Sequence, residues 1–275
     1  IVFSLISKFL GFIREVFMAL KFGSGIETDT YFIAMTATGV IVALLAEGIN
    51  VSTVPILAEV EKNKGRKWKA KYVNNLLNVI AALSLFVIFI SYIITPLIIK
   101  IIASGFSGNQ FKLAVRLTRI GLPIIFFTLV RSILSGFLHS EEKFTSIAAI
   151  GMPFNLVYLI YLIFLSEKLG IVGLMFASVV AVIFQVIILV PSVRKIGYKY
   201  EFAFNIKDSH VIKSLYLILP VAVGTSIDIM NGIIDKTLAS SLAAGSISAL
   251  NYANKLNTLI LGVFISAITT VIFPI

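Results

Sequence analysis

Long apolar runs separated by short polar links dominate this chain. Eight runs of helical length can be marked, at roughly 1–21, 29–48, 73–102, 111–138, 144–166, 169–193, 211–240 and 246–275. Several exceed the ~20 apolar residues that carry a helix across a bilayer. A membrane β-barrel would instead show short segments of alternating polarity. The pattern predicts an all-α polytopic membrane protein with about eight transmembrane helices.

The links sort by charge. After the second run, Lys62, Lys64, Arg66, Lys67, Lys69 and Lys71 face only Glu59 and Glu61. After the sixth, Arg194, Lys195, Lys199 and Lys207 face Glu201 and Asp208. The links after runs one, three, five and seven are nearly free of basic residues. Basic links stay on the cytoplasmic side, so even-numbered links and the N-terminus are expected there. The segment Val193–Lys213 mixes aromatics with charge and reads either as an amphipathic interfacial element or as an ordinary basic linker.

Composition supports this picture. The chain is 59% hydrophobic and 13% charged, with mean hydropathy +1.03, where soluble domains carry about one-quarter charged residues. The net charge of +10 fits basic cytoplasmic links better than nucleic-acid binding, and no nucleic-acid partner is expected. The chain has no cysteine, which excludes disulfides and thiolate chemistry. There is no phosphate-binding loop of the Walker type. His139 and His210 have no metal-ligand spacing. An enzyme is not expected, nor an ATP-driven pump. The start lacks a signal-peptide pattern and reads as trimmed.

A weak internal repeat appears at an offset of roughly 220 residues. Gly11–Glu15 falls on Gly232–Lys236, the turn ending at Gly25 on the turn ending at Gly245, and Val54–Ile56 on Phe273–Ile275. The offset covers six helices, so the two copies would share one orientation, as in transporters built from parallel repeats. The second copy stops after two helices, and a second lobe continuing by four helices or more is expected.

Charges inside apolar runs are costly and mark functional positions. In the first run Lys8, Gly11 and Glu15 share a stripe, with Arg14 about 100° away. A broad charged side of this kind suits a helix that lines a cavity, the alternative being a structural ion pair between helices. In the seventh run Gly224, Asp228, Asn231 and Asp235 form a stripe whose two carboxylates and one amide oxygen suit a hard cation. Lys255 lies deep in the eighth run. Arg116 and Arg119 are expected to snorkel toward an interface.

The stretches "SKFLGFIREVFMALKFGSGIETDTYFIA" and "LLAEGINVSTVPILAE", with "DKTLASSLAAGSISALNYANKL" from Asp235 to Leu256, resemble the MurJ (MviN) family of the multidrug/oligosaccharidyl-lipid/polysaccharide exporter superfamily. The resemblance implies a fourteen-helix, two-lobe transporter with a central basic cavity. Residues 1–194 would form the first lobe, 195–210 a cytoplasmic or interfacial linker, and 211–275 the opening helices of the second. It implies a lipid II flippase in the bacterial cytoplasmic membrane, moving an undecaprenyl-diphosphate-linked peptidoglycan precursor. Membrane lipids and cell-wall synthesis proteins are its implied partners. Carried over by motif, Arg14, Lys8, Asp29 and Lys255 would bind substrate, and Asp235 a sodium ion. Val42 departs from the family, which often has arginine there. Lysine at positions 8 and 255 keeps charge but not the guanidinium fork. An exporter of another lipid-linked oligosaccharide or of drugs, and a membrane scaffold, are the rival readings. A cationic drug would call for an acidic cavity, and a scaffold would pair off its charges and leave no cavity.

Overall fold

The computed structural model describes the backbone of residues 2–272, with the side chains of 2, 4, 219, 228, 259, 260 and 262–272 outside the description. Phe273–Ile275, the last landmark of the repeat, also lies outside it. The described backbone is helical apart from short turns and one longer irregular segment between Lys195 and Ser209. In order the helices are α1 Val2–Phe22, α2 Ile26–Lys64, α3 Arg66–Ile102, α4 Gly108–Gly121, α5 Pro123–Ser140, α6 Phe144–Ala148, α7 Gly151–Ile160, α8 Ser166–Ile187, α9 Val190–Lys195, α10 Ser209–Ala239 and α11 Ser246–Ile272. A π-helical stretch, Tyr161–Leu165, joins α7 to α8.

Among the described residues five stretches are long and apolar enough to cross a membrane, one of them running 52 residues from Phe144 to Lys195. That stretch folds back on itself. Tyr158 donates to Ser178 at 2.6 Å, and the hydroxyls of Ser146 and Ser192 lie 2.7 Å apart. Residues twenty apart in one straight helix would be about 30 Å apart. The reversal comes at Gly170, whose φ of 56° is a backbone state that glycine adopts without a Cβ penalty. The stretch is therefore two antiparallel arms. The four charges Lys8, Arg14, Glu15 and Lys21 keep α1 from the most apolar class, yet its 21 residues span about 31 Å. With α4 and α5 forming one crossing bent at Pro123, the helices make eight membrane-length arms.

One expectation needs correction. The basic link after the second run is helical: α2 runs 39 residues and α3 runs 37, each longer than a bilayer core, and they meet at Gly65 with φ of 86°. Only a glycine turn interrupts the helix there, because Lys, Arg, Glu and Ala are all good helix formers. Between α9 and α10 the chain leaves helical structure. Residues 198–205 are irregular and are tied to α3 by side chains.

The arms share two ends. At the basic end Lys69 is fully buried and reaches Glu61 at 2.6 Å and Glu141 at 2.7 Å, while Arg66 bonds Glu141 and the Ile196 carbonyl. Burial pushes the Tyr198 phenol well above its ordinary range, with Tyr200 nearby adding to the effect, so it remains a donor to Asn74 Oδ1. At the opposite end the turns at Ser24 and Gly245 touch, and Lys21 pairs with Glu167 at 2.7 Å. Two apolar clusters fill the bundle between these ends. One, around Ile33, Leu117 and Leu174, lies toward the α1–α2 turn. The other, around Leu57, Leu76 and Ile133, lies toward the basic end.

Candidate functional site

α1, α2, α7, α10 and α11 enclose a cavity of about 470 Å³, within the range of small-molecule sites. Arg14, Lys236 and Lys255 line it, with Glu15 as the acidic member. The sequence places Arg14 and Glu15 side by side on α1, and the structure shows how the arginine is held. Its Nη2 donates to Glu15 at 2.5 Å and its Nη1 to Asn155 at 3.1 Å. The guanidinium carbon lies 5.3 Å from the Phe154 ring centre and 5.2 Å from that of Tyr158. Asn155, Phe154 and Tyr158 all come from α7. Two aromatic faces and a fork of donors fix a planar cation in one orientation, which lysine could not reproduce. Asn155 also donates to the Ser7 carbonyl at 2.9 Å, clamping α7 to α1. Tyr158 is held in turn by Tyr31 and Ser178.

Glu15 does more than neutralise Arg14. One carboxylate oxygen takes the guanidinium, while the other is buried with no hydrogen-bond partner. The carboxylate therefore orients Arg14 and keeps an unused acceptor at the cavity wall. Lys236 donates to Thr36 Oγ1 at 2.5 Å and lies close enough to Lys255 for their charges to repel. Three cations against one carboxylate give the cavity wall a net positive charge, which favours an anion over a cation.

The expected site residues divide into two groups. Arg14 and Lys255 meet in the central cavity. Lys8 lines an adjoining cleft of about 400 Å³ that Arg14, Glu15 and Lys255 also border. Asp29 lies apart. It is buried, and its two oxygens accept from the backbone N–H groups of Gly245 at 2.6 Å and Ser248 at 2.7 Å. From α2 it caps the start of α11, satisfying donors that a helix N-terminus leaves open. Tyr252 donates to the Gly23 carbonyl at 3.1 Å in the same region.

On α10 the cavity face is Ile229, Gly232 and Lys236, not the oxygen-rich stripe. Of that stripe, Gly224, Asn231 and Asp235 are exposed and the Asp228 side chain lies outside the description. Among the described residues no three acidic or histidine side chains converge on one point. Lys236 is the cavity residue that sequence reading missed. Its signal was present, a lysine adjacent to the aspartate at the repeat position of Arg14 and Glu15.

Arg119 does not snorkel freely. Its Nε donates to the Tyr92 carbonyl at 3.2 Å and its guanidinium stacks 4.4 Å from the Tyr92 ring. Pro96 on α3 has no N–H to offer the carbonyl four residues earlier, and Arg119 supplies the missing donor.

A multi-pass helical bundle around a cationic cavity is the architecture of a membrane transporter fold. Solved structures agree on this class. "Inward-facing conformation of a multidrug resistance MATE family transporter of the MOP superfamily" superposes with a TM-score of 0.69 at 15% identity, over 92% of this chain and 58% of that one, a likeness of fold alone. "Lipid II flippase MurJ, inward closed conformation" superposes with a TM-score of 0.80 at 25% identity, over 98% of this chain and 56% of that one. The family model "Lipid II flippase MurJ" matches residues 18–275, and the chain belongs to the MurJ family. A relative from Buchnera aphidicola subsp. Baizongia pistaciae, named "Probable lipid II flippase MurJ", is 31% identical over 98% of this chain and 54% of its own length. "Lipid II flippase MurJ" of Burkholderia cenocepacia is 27% identical over 99% of this chain and 54% of its own length. The chain spans about half the length of these curated relatives.

Proposed function

We propose that this protein moves a lipid-linked diphosphate, the peptidoglycan precursor lipid II, between the leaflets of the bacterial inner membrane by alternating access. The observation that carries the reading is the cluster of Arg14, Lys236 and Lys255 around one membrane-embedded cavity. A diphosphate with polar sugars needs a cationic, wet path, while its polyprenyl tail can stay in the lipid. Lys236 and Lys255 are mutually repelling cations that a diphosphate would bridge, and the orientation of Arg14 is fixed in advance. The charge of the cavity disfavours a cationic drug. A pure scaffold is disfavoured because its charges would pair off, whereas Lys236 and Lys255 share a cavity. The excess of basic residues at the Glu61–Lys69 end supports a cytoplasmic N-terminus.

The test is binding and translocation of lipid II in reconstituted vesicles. Lys236→Ala combined with Lys255→Ala should weaken binding at least tenfold, since charge-assisted hydrogen bonds are worth about 1.5–3 kcal/mol each. The corresponding pair of arginine substitutions should restore most of it. A double-alanine protein that binds and flips lipid II normally would refute the site.

A further inference from the structure

We propose that residues 198–206 form an interfacial strap. The strap seats a row of aromatic and aliphatic side chains in the boundary between headgroups and acyl chains of the leaflet at the basic end, and so anchors the start of α10.

Three independent observations lead to this. The first is the pattern of exposure. Tyr200, Phe202, Phe204 and Ile206 are 59%, 78%, 48% and 54% exposed. These are alternate positions, as a non-helical chain displays on one side. The backbone between them is tied to α3. Asn75 donates to the Asn205 carbonyl at 2.9 Å and accepts from its N–H at 2.6 Å. Asn78 donates to the Ala203 carbonyl at 2.9 Å, and Asn74 donates to that of Lys199. The helix thus holds the segment as a neighbouring strand would, with the large apolar side chains left facing outward.

The second is height. On α3 the exposed apolar side runs from Ala82 through Leu85, Phe89 and Leu97 to Ile101. That is about 29 Å of helix, the thickness of a hydrocarbon core. Asn78 lies one turn, about 6 Å, beyond Ala82, inside the polar layer that adds roughly 5–8 Å to each side of the core. Tyr200 donates to Asn78 Oδ1 at 2.6 Å, which puts the strap at the depth where aromatic belts form.

The third is charge. Arg194, Lys195, Lys199 and Lys207 flank the aromatic row, against Glu201. Basic residues at this level are drawn to anionic headgroups. Asp208, directly after the strap, accepts from His210 and Val211 N–H and caps α10. Holding the strap in the interface therefore fixes the height at which α10 begins, on the helix that carries Lys236 into the cavity.

The experiment uses the single tryptophan, Trp68. Trp68→Phe combined with Phe202→Trp gives a protein with one reporter, to be placed in phosphatidylcholine–phosphatidylglycerol vesicles brominated near the top or the end of the acyl chain. The proposal expects emission roughly halved by the shallow bromines, less affected by the deep ones, and little affected by aqueous iodide. Red-shifted emission quenched by iodide alone would overturn it. So would blue-shifted emission quenched by neither, which would mean that a second copy or another protein covers the row. Phe204→Trp in the same background gives an independent reading if the Phe202 variant folds poorly.

Discussion

Asp29 is the most informative single residue to remove, because it joins α2 to the start of α11 by two hydrogen bonds at the end of the molecule where the Ser24 and Gly245 turns meet. If the protein works by alternating access, opening that end must break this contact. Asp29→Ala removes two charge-assisted acceptors, each worth about 1.5–3 kcal/mol, although water admitted on opening recovers part of the loss. A net penalty of about 3 kcal/mol on the closed arrangement is reasonable. It changes the ratio of closed to open forms by about a hundredfold. The chain has no cysteine, so Met35→Cys places a single thiol in the cavity wall. A membrane-impermeant maleimide presented on the face carrying Ser24 should then label the Asp29→Ala protein at least tenfold faster than the parent. Asp29→Asn should fall between, since its one carbonyl oxygen can serve Gly245 or Ser248 but its amide nitrogen cannot accept from the other. Unchanged labelling in Asp29→Ala, in a protein that still folds, would refute the idea that this contact holds the end closed.

Other outcomes follow from the same geometry. Arg14→Lys keeps the charge but gives up the stacking on Phe154 and Tyr158 and the fork to Glu15 and Asn155. Lipid II flipping in vesicles should fall about tenfold or more, while binding retains part of its strength. Gly48→Ala would set a Cβ 2.5 Å from the Ile218 Cα, forcing α2 and α10 apart. A loss of roughly 2–3 kcal/mol is expected in detergent unfolding, and an unchanged midpoint would contradict the packing described. Lys69→Met leaves Glu141 with only the exposed Arg66 as its cation and should destabilise by about 1–3 kcal/mol. Adding Glu141→Gln should recover much of that, read as a coupling in a double-mutant cycle.

The eight arms were legible from hydropathy alone, because a bilayer imposes one length on every apolar run. The two ends were equally legible from the placement of lysine and arginine. Arg14 and Lys255 could be picked out as cavity residues, since a charge inside an apolar run has few affordable places to point. The repeat offset pointed toward Lys236 without selecting it. The phase of α10 depends on how it packs against α2, which turns Ile229, Gly232 and Lys236 toward the cavity.

What tertiary structure alone decided lies in contacts between residues far apart in sequence. Asp29 reads as an acidic residue at a helix start, and nothing local tells that its oxygens meet N–H groups 216 and 219 positions away. The asparagines of α3 look like ordinary polar residues until residues 199–205 return to them. Periodicity reports the environment of a helix averaged over its own turns, so it finds membrane spans and charged faces. A hydrogen bond requires two particular atoms within about 3 Å, and only the folded chain determines which ones meet.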